Sequence, residues 1–210
     1  MLALIKREIR DHIVYFIAAA ICSAIFIAMG LETVHEYNPR NPPVFPIGIG
    51  ISLAAIVTAG ICAMGATQMY FDKTRRVSAL LSTRPVSRSM ILLARIIAGL
   101  LAILTLLAPI AVATTILLRL FTPPIPMYSG LVWEIFTATF LLAFACYCIG
   151  LQTGWNTNAL TPTLGALGLT CIFVPLILIK GPGLQIVVIL QLFITASLVR
   201  TWNKFLSTPL

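Results

Sequence analysis

Charge is what this chain has least of. Charged residues make up 10% of its 210 positions and hydrophobic ones 60%, where soluble domains carry roughly a quarter charged and half apolar. A soluble core of this size cannot hide so much apolar surface, so lipid must cover part of it. Only six acids are present: Glu8, Asp11, Glu32, Glu36, Asp72 and Glu134. Five fall in terminal or loop segments and Glu134 stands about one turn into an apolar run. The two histidines, His12 and His35, sit at the edges of such runs. No ionisable group falls near the middle of an apolar run. The intramembrane charges by which proton- or ion-driven transporters mark a pathway are therefore missing.

The same scarcity excludes intramembrane hydrolysis, which needs a Ser–His pair or paired aspartates at one depth in the bundle. No GxxxxGK[ST] loop occurs, so the chain has no P-loop for nucleotide hydrolysis. The chain is read as no enzyme, and uphill work by it must draw energy from another protein. Thr105, Thr114 and Thr115 are too sparse to line a passive channel. Five cysteines, Cys22, Cys62, Cys146, Cys148 and Cys171, all lie within apolar runs. An odd number in such places argues against a disulfide framework. Cys146 and Cys148 point to different helix faces rather than to one metal, and read as small packing residues.

What is present is a set of long apolar runs. The expected fold is all-α: a polytopic membrane protein in which six transmembrane helices form a single domain over residues 1–210, with no room for a second, soluble one. The spans are placed at about 13–31, 47–71, 90–118, 131–151, 159–179 and 184–199. The first run has 19 residues, about 28 Å as a helix, which matches the hydrocarbon thickness. It is longer than a signal-peptide core and reads as retained. Before it, Leu2, Ile5 and Ile9 recur at helical spacing, giving a short amphipathic helix at the membrane surface. Proline-rich segments at 32–46 and 121–130 read as connecting loops, and KGPG at 180–183 as a tight reversal.

The formal charge of +8 sets orientation rather than suggesting nucleic acid, since no basic and aromatic surface lies outside the spans. Eleven basic residues flank one side: three near the N-terminus, six from Lys73 to Arg95, and Arg200 and Lys204. Arg40, Arg119 and Lys180 flank the other. This places both termini and the charged loop at 72–88 in the cytosol, and an even number of spans agrees. Arg95, one turn inside the third span, is expected to snorkel to the cytosolic interface. Trp133, Tyr128, Trp155 and Trp202 fall near span ends as interfacial anchors. Alanines spaced by four (Ala20, Ala24 and Ala28; Ala55, Ala59 and Ala63) make ridges for close helix contact, within one subunit or between two.

The stretch from Tyr70 to Arg95 carries the most information. It suggests a short helix from Asp72 to Leu81 with an apolar stripe at Val77, Leu80 and Leu81, then a turn at Thr83-Arg84-Pro85. On composition alone such a segment also reads as an anchor on anionic lipid. Phe71, the pair Asp72-Lys73, the dyad Leu80-Leu81, then Pro85-Val86-Ser87-Arg88 and Arg95 follow in order. In this motif, and in the layout of nearly the whole chain, the sequence resembles the permease subunits of ABC-2 type transporters.

The resemblance implies an interfacial N-terminal helix leading into six spans, and a cytoplasmic coupling helix that docks on a separate ATPase subunit. It implies contact through Asp72, Lys73, Arg75, Arg76, Leu80, Leu81, Pro85 and Arg88. It further implies a second permease copy, as homodimer or heterodimer, in the cell membrane. No cofactor belongs to the chain itself; ATP and Mg belong to the partner ATPase. Many relatives carry a glutamate and a glycine where Thr74, Arg75, Arg76 and Val77 stand, so a basic docking face here calls for an acidic groove on the partner. The link between the fifth and sixth spans is also shorter than in relatives with re-entrant helices there. The function expected is a permease subunit, exporting; the alternative is a non-transporting membrane anchor that recruits a cytosolic partner.

Overall fold

The structure, a computed structural model, describes residues 2–35, 44–75, 87–121, 126–155, 168 and 184–207. Six helices appear among them: α1 (Leu2–Asp11), α2 (Ile13–His35), α3 (Val44–Arg75), α4 (Arg88–Phe121), α5 (Pro126–Trp155) and α6 (Leu184–Ser207). There is no strand among the described residues. Four stretches are long and apolar enough to cross a membrane: Ile13–Glu32, Arg88–Leu117, Trp133–Gly154 and Leu184–Ser207. Ile56–Phe71 in α3 is a shorter apolar stretch within a helix of 32 residues. The chain is thus an all-helical membrane protein. The expected fifth span, 159–179, lies outside the described residues except for Gly168, which is helical.

The helices run past the expected boundaries, and at four of the ends the extension has a local cause. Pro46 and Pro126 read as loop residues in the sequence, yet both sit in the first turn of a helix, α3 and α5. There proline costs no hydrogen bond and its fixed φ already suits the helix. The last helix, expected to stop at 199, continues to Ser207. Its buried stripe of Ile186, Leu190, Ile194, Ser197, Thr201 and Phe205 keeps helical spacing past Arg200 and Lys204. At the start of α4, Ser87 is non-helical and its carbonyl accepts from Met90 N at 3.0 Å and Ile91 N at 3.4 Å, as an N-cap residue does. Pro109 lies within α4 without ending it.

The core is built where α3 meets α5, and it is a backbone-to-backbone contact. A Cβ placed on Gly150 would lie 2.1 Å from the carbonyl oxygen of Cys62, and one on Gly154 would lie 2.2 Å from that of Ala66. Only glycine lets the helices come this close. Cys62 and Cys146 are buried beside this contact and Cys148 within the main core, all three as free thiols. Around this pair, Leu92, Ile103 and Leu106 of α4 and Leu190 and Ile194 of α6 complete the core.

The outer faces are apolar as a lipid-facing surface must be. Ile13, Val14, Ile17, Ile21 and Ile25 of α2 are exposed, as are Val112 and Ile116 of α4 and Leu192 of α6. Ala20, Ala24 and Ala28 lie on this outward side, and so do Ala59 and Ala63. The alanine ridges therefore do not pack the described helices together. The threonines of the spans are polar in name only. Thr105, Thr114 and Thr115 each donate to a carbonyl three or four residues back in α4.

Candidate functional site

A buried ionic centre lies at the end of the bundle that carries α1, and five helices contribute to it. Its middle is Arg95, seven residues after the start of α4 and so about 10 Å along it. The residue is 3% exposed. Sequence reasoning sends this side chain out to the interface; the structure turns it inward. Its Nε stands 3.4 Å from Glu8 Oε1 on α1, and its Nη1 lies 3.6 Å from the Met69 sulfur on α3. Phe205 of α6 presents its ring 5.9 Å from the guanidinium carbon, near the outer limit of a cation–π contact. A charge this deep persists only with a counter-ion, and α1 brings one to it.

The amphipathic α1 makes that delivery possible. Glu8 and Ile9 are half-buried and His12 is buried, while Lys6 and Arg10 are exposed. Glu8 thus takes a place on the apolar side of the helix, facing the bundle. The chain turns at His12, whose N–H donates to Glu8 O at 3.1 Å, while Tyr15 N donates to His12 O at 3.0 Å. Tyr15 then meets α3, its hydroxyl 3.3 Å from Thr67 Oγ1. On α1 itself Arg7 pairs with Asp11 at 3.4 Å across one turn.

On the other side of Arg95, Tyr147 of α5 binds the three long helices together. Its hydroxyl lies 2.6 Å from Gln68 Oε1 of α3 and 2.8 Å from the Arg95 carbonyl oxygen of α4. Its ring rests on Gly99, where a Cβ would fall 2.3 Å from the ring carbon Cζ. A phenol has one proton and cannot donate fully to two acceptors. The set closes when the Gln68 amide turns so that its Nε2, buried here without a partner among the described residues, donates to Tyr147 and Tyr147 donates to Arg95 O. Replacing Tyr147 with phenylalanine is expected to cost about 2 kcal/mol, because it strands the Gln68 amide in the core. Adding Gln68→Leu should recover most of that loss in unfolding measurements on the double variant. If Tyr147→Phe alone unfolds like the unaltered chain, the bond carries no weight.

The centre joins the charges of α1 and α4. His12 Nε2 is buried and lacks a hydrogen-bond partner among the described residues. No group of three or more His, Cys, Asp or Glu side chains among them is placed to hold a metal ion. What the geometry can do is tie α1 to α4 and, through Tyr147, α4 to α3 and α5.

The residues expected to contact a partner lie just beyond this centre in the chain. Asp72, Lys73 and Arg75 form the last turn of α3, one turn past Gln68 and Met69. The helix expected to start at Asp72 is, as far as Arg75, an unbroken continuation of α3. Arg88 opens α4, two turns before Arg95. Arg76, Leu80, Leu81 and Pro85 lie outside the described residues. The structure therefore places both ends of the charged segment within two turns of the ionic centre. Sequence reasoning misses Glu8, Gln68 and Tyr147. Gln68, a polar side chain late in an apolar run, is the one available signal. Comparison of the chain with protein-family models, curated proteins and solved structures gives no match.

Proposed function

We propose that the chain is the permease subunit of an ATP-driven transporter of the ABC-2 type, working with a separate ATPase subunit that binds ATP and Mg. In this reading the bundle has six spans, the fifth at 159–179, and sits in the cell membrane with both termini in the cytosol. A second permease copy completes the path, and transport is outward. The motif from Phe71 to Arg95 supports the reading, as does the absence from the sequence of any nucleotide-binding loop.

One observation carries it furthest: the charged segment 72–88 is continuous at both ends with helices that meet in the buried ionic centre. A push on that segment by an ATPase reaches α3 at Gln68 and Met69 and reaches α4 at Arg95. Those helices are tied to each other by Tyr147 and to α1 by Glu8, so they move as one body rather than bending singly. Rigid-body rocking of packed elements is the usual way such a stroke changes access across a membrane.

Two measurements test the reading. Mass spectrometry of what co-purifies stoichiometrically from native membranes in mild detergent is expected to find a P-loop ATPase at one copy per chain. Reversing the charges at Arg75 and Arg76 to glutamate is expected to weaken that association roughly tenfold, as loss of complementary rim charges does. Finding no ATPase with an intact bundle would leave a membrane anchor as the better description. An ATPase that binds the charge-reversed chain equally well would remove the segment from the contact.

A further inference from the structure

We infer that residues 159–179 cross the membrane antiparallel to α6 and cover its outward face, with the Thr170 hydroxyl meeting the Gln191 amide. Two contacts fix how α5 and α6 run. Phe193 of α6 packs against the cluster of Cys62, Cys146 and Ile149. One turn on in α6, the Ser197 hydroxyl oxygen accepts from Gln152 Nε2 of α5 at 2.7 Å. The two helices therefore run side by side in the same direction. Both finish at the end of the bundle that carries α1: Gly154 lies against Ala66 of α3, and Phe205 faces the Arg95 guanidinium. Ser197 stands level with Gln152, so Leu184, thirteen residues earlier, lies about 20 Å back along the bundle. The chain leaves α5 at Trp155 and has to return that distance before α6 begins. A helix over 159–179 is about 30 Å long and makes the return crossing.

The reversal at 180–183 holds this crossing beside α6, because four residues span at most about 14 Å even when extended. Ile186, Leu190 and Ile194 of α6 are taken up by the core, while Val188, Gln191, Leu192 and Val199 are exposed. Gln191 marks which free face is covered. It stands seven residues into the helix among apolar neighbours, and its amide has no hydrogen-bond partner among the described residues. Thr195 donates its hydroxyl to the Gln191 carbonyl at 2.8 Å and leaves the amide unanswered. In hydrocarbon an unanswered amide is costly, and a neighbouring helix is what supplies its partner. About the centre of the 180–183 turn, Gln191 is level with residue 172. Thr170 lies within one turn of that level and is the only hydroxyl or amide side chain in Leu164–Ile179. Its oxygen accepts from Gln191 while its proton goes to a carbonyl of its own helix, as those of Thr105 and Thr114 do in α4. A second copy of the chain is the poorer occupant, because the short link brings residues 159–179 to this face first. The crossing rests on the six spans proposed above and not on the ATPase. Co-purification does not read it, so the two readings fail separately.

Paired cysteines in the full chain, held in sealed vesicles, test this. Thr170→Cys with Gln191→Cys, in a Cys171→Ser chain so that the neighbouring thiol does not compete, is treated with copper phenanthroline. The pair is expected to close within one chain, read as the loss of two maleimide-reactive thiols from the intact mass. Thr163→Cys with Gln191→Cys, about 10 Å further along the crossing, should keep both thiols. Asn156→Cys and Gly181→Cys stand outside the crossing and do not disturb its packing. A membrane-impermeant maleimide should label these two from opposite sides of the membrane. Labelling from the same side would overturn the crossing. Opposite labelling without the link between positions 170 and 191 would overturn the face. A link between two chains through Gln191→Cys alone would overturn it too, by giving the face to a second copy.

Discussion

Gly150→Ala is expected to separate α3 from α5 and to cost about 3 kcal/mol or more, the upper range for forcing an extra carbon into a packed interior. The added Cβ would have to occupy a point 2.1 Å from the Cys62 carbonyl oxygen. No rotamer relieves that clash, because the obstacle is backbone on a rigid helix. Gly154 repeats the contact one turn on, against Ala66 O at 2.2 Å, so the helices cannot pivot about one point and must part along their length. Parting them loses van der Waals contact, and in lipid this is the main force between helices, since apolar tails offer no hydrophobic gain. Gly130→Ala, in the same helix with nothing within 4 Å of its Cβ, is the control and should change stability by less than about 0.5 kcal/mol. The comparison is read from the monodisperse fraction and the unfolding curve of each variant in detergent. Equal behaviour of the two alanine variants would mean the close approach of α3 and α5 is wrong.

The second large effect is expected at the ion pair, and it should be lopsided. Glu8→Gln leaves the Arg95 charge in a site 3% exposed without this counter-ion, and should cost roughly 3 kcal/mol. Arg95→Met leaves Glu8 with 18% of its side chain exposed on a surface helix, where it can turn toward water, and a thioether fills the space beside Met69. That variant should lose only about 1 kcal/mol. The double variant should be no worse than Glu8→Gln alone, because it buries neither charge. A coupling of roughly 1 kcal/mol or more from the four unfolding free energies would support this. Additive losses would show that the two side chains do not meet. Proteolysis between α1 and α2 should also quicken in Glu8→Gln, since the pair holds α1 on the bundle.

Much of the fold is legible in the sequence because hydrophobicity in a membrane protein is nearly one-dimensional information. A run such as Ile13–Leu31 has one stable outcome in lipid, a helix that satisfies its own backbone, and α2 follows from that. The amphipathic pattern of Leu2, Ile5 and Ile9 likewise makes α1 readable from its spacing. Boundaries are less legible. Proline reads as a breaker at Pro46 and Pro126, although in a first turn it is a helix starter. Charge reads as the end of the last span at Arg200, but burial of Thr201 and Phe205 on the opposite side of the turn carries α6 onward to Ser207.

The candidate site is the least legible part. Arg95 stands out in the sequence, and its distance from the end of its span suggests an outward reach. That expectation takes water as the nearest partner for a charge. Glu8, 87 residues away in sequence, is nearer. No periodicity connects two such positions; they meet only because the turn at His12 lays α1 against the beginning of α4. Tyr147 is similar, an aromatic in an apolar run that reads as core, while in the fold Gln68 and Arg95 O surround its hydroxyl.

By itself, then, the sequence determined that this is a helical membrane protein with its charges gathered at span ends, because local composition decides which segments can enter lipid. Which faces of those helices would touch, and that a buried arginine would meet a half-buried glutamate where they do, was decided by tertiary structure alone. Lipid exerts no preference between one apolar helix face and another, so the choice falls to shape: the glycines at 150 and 154 set how closely α3 and α5 pack, and the pocket their neighbours form sets where Arg95 points.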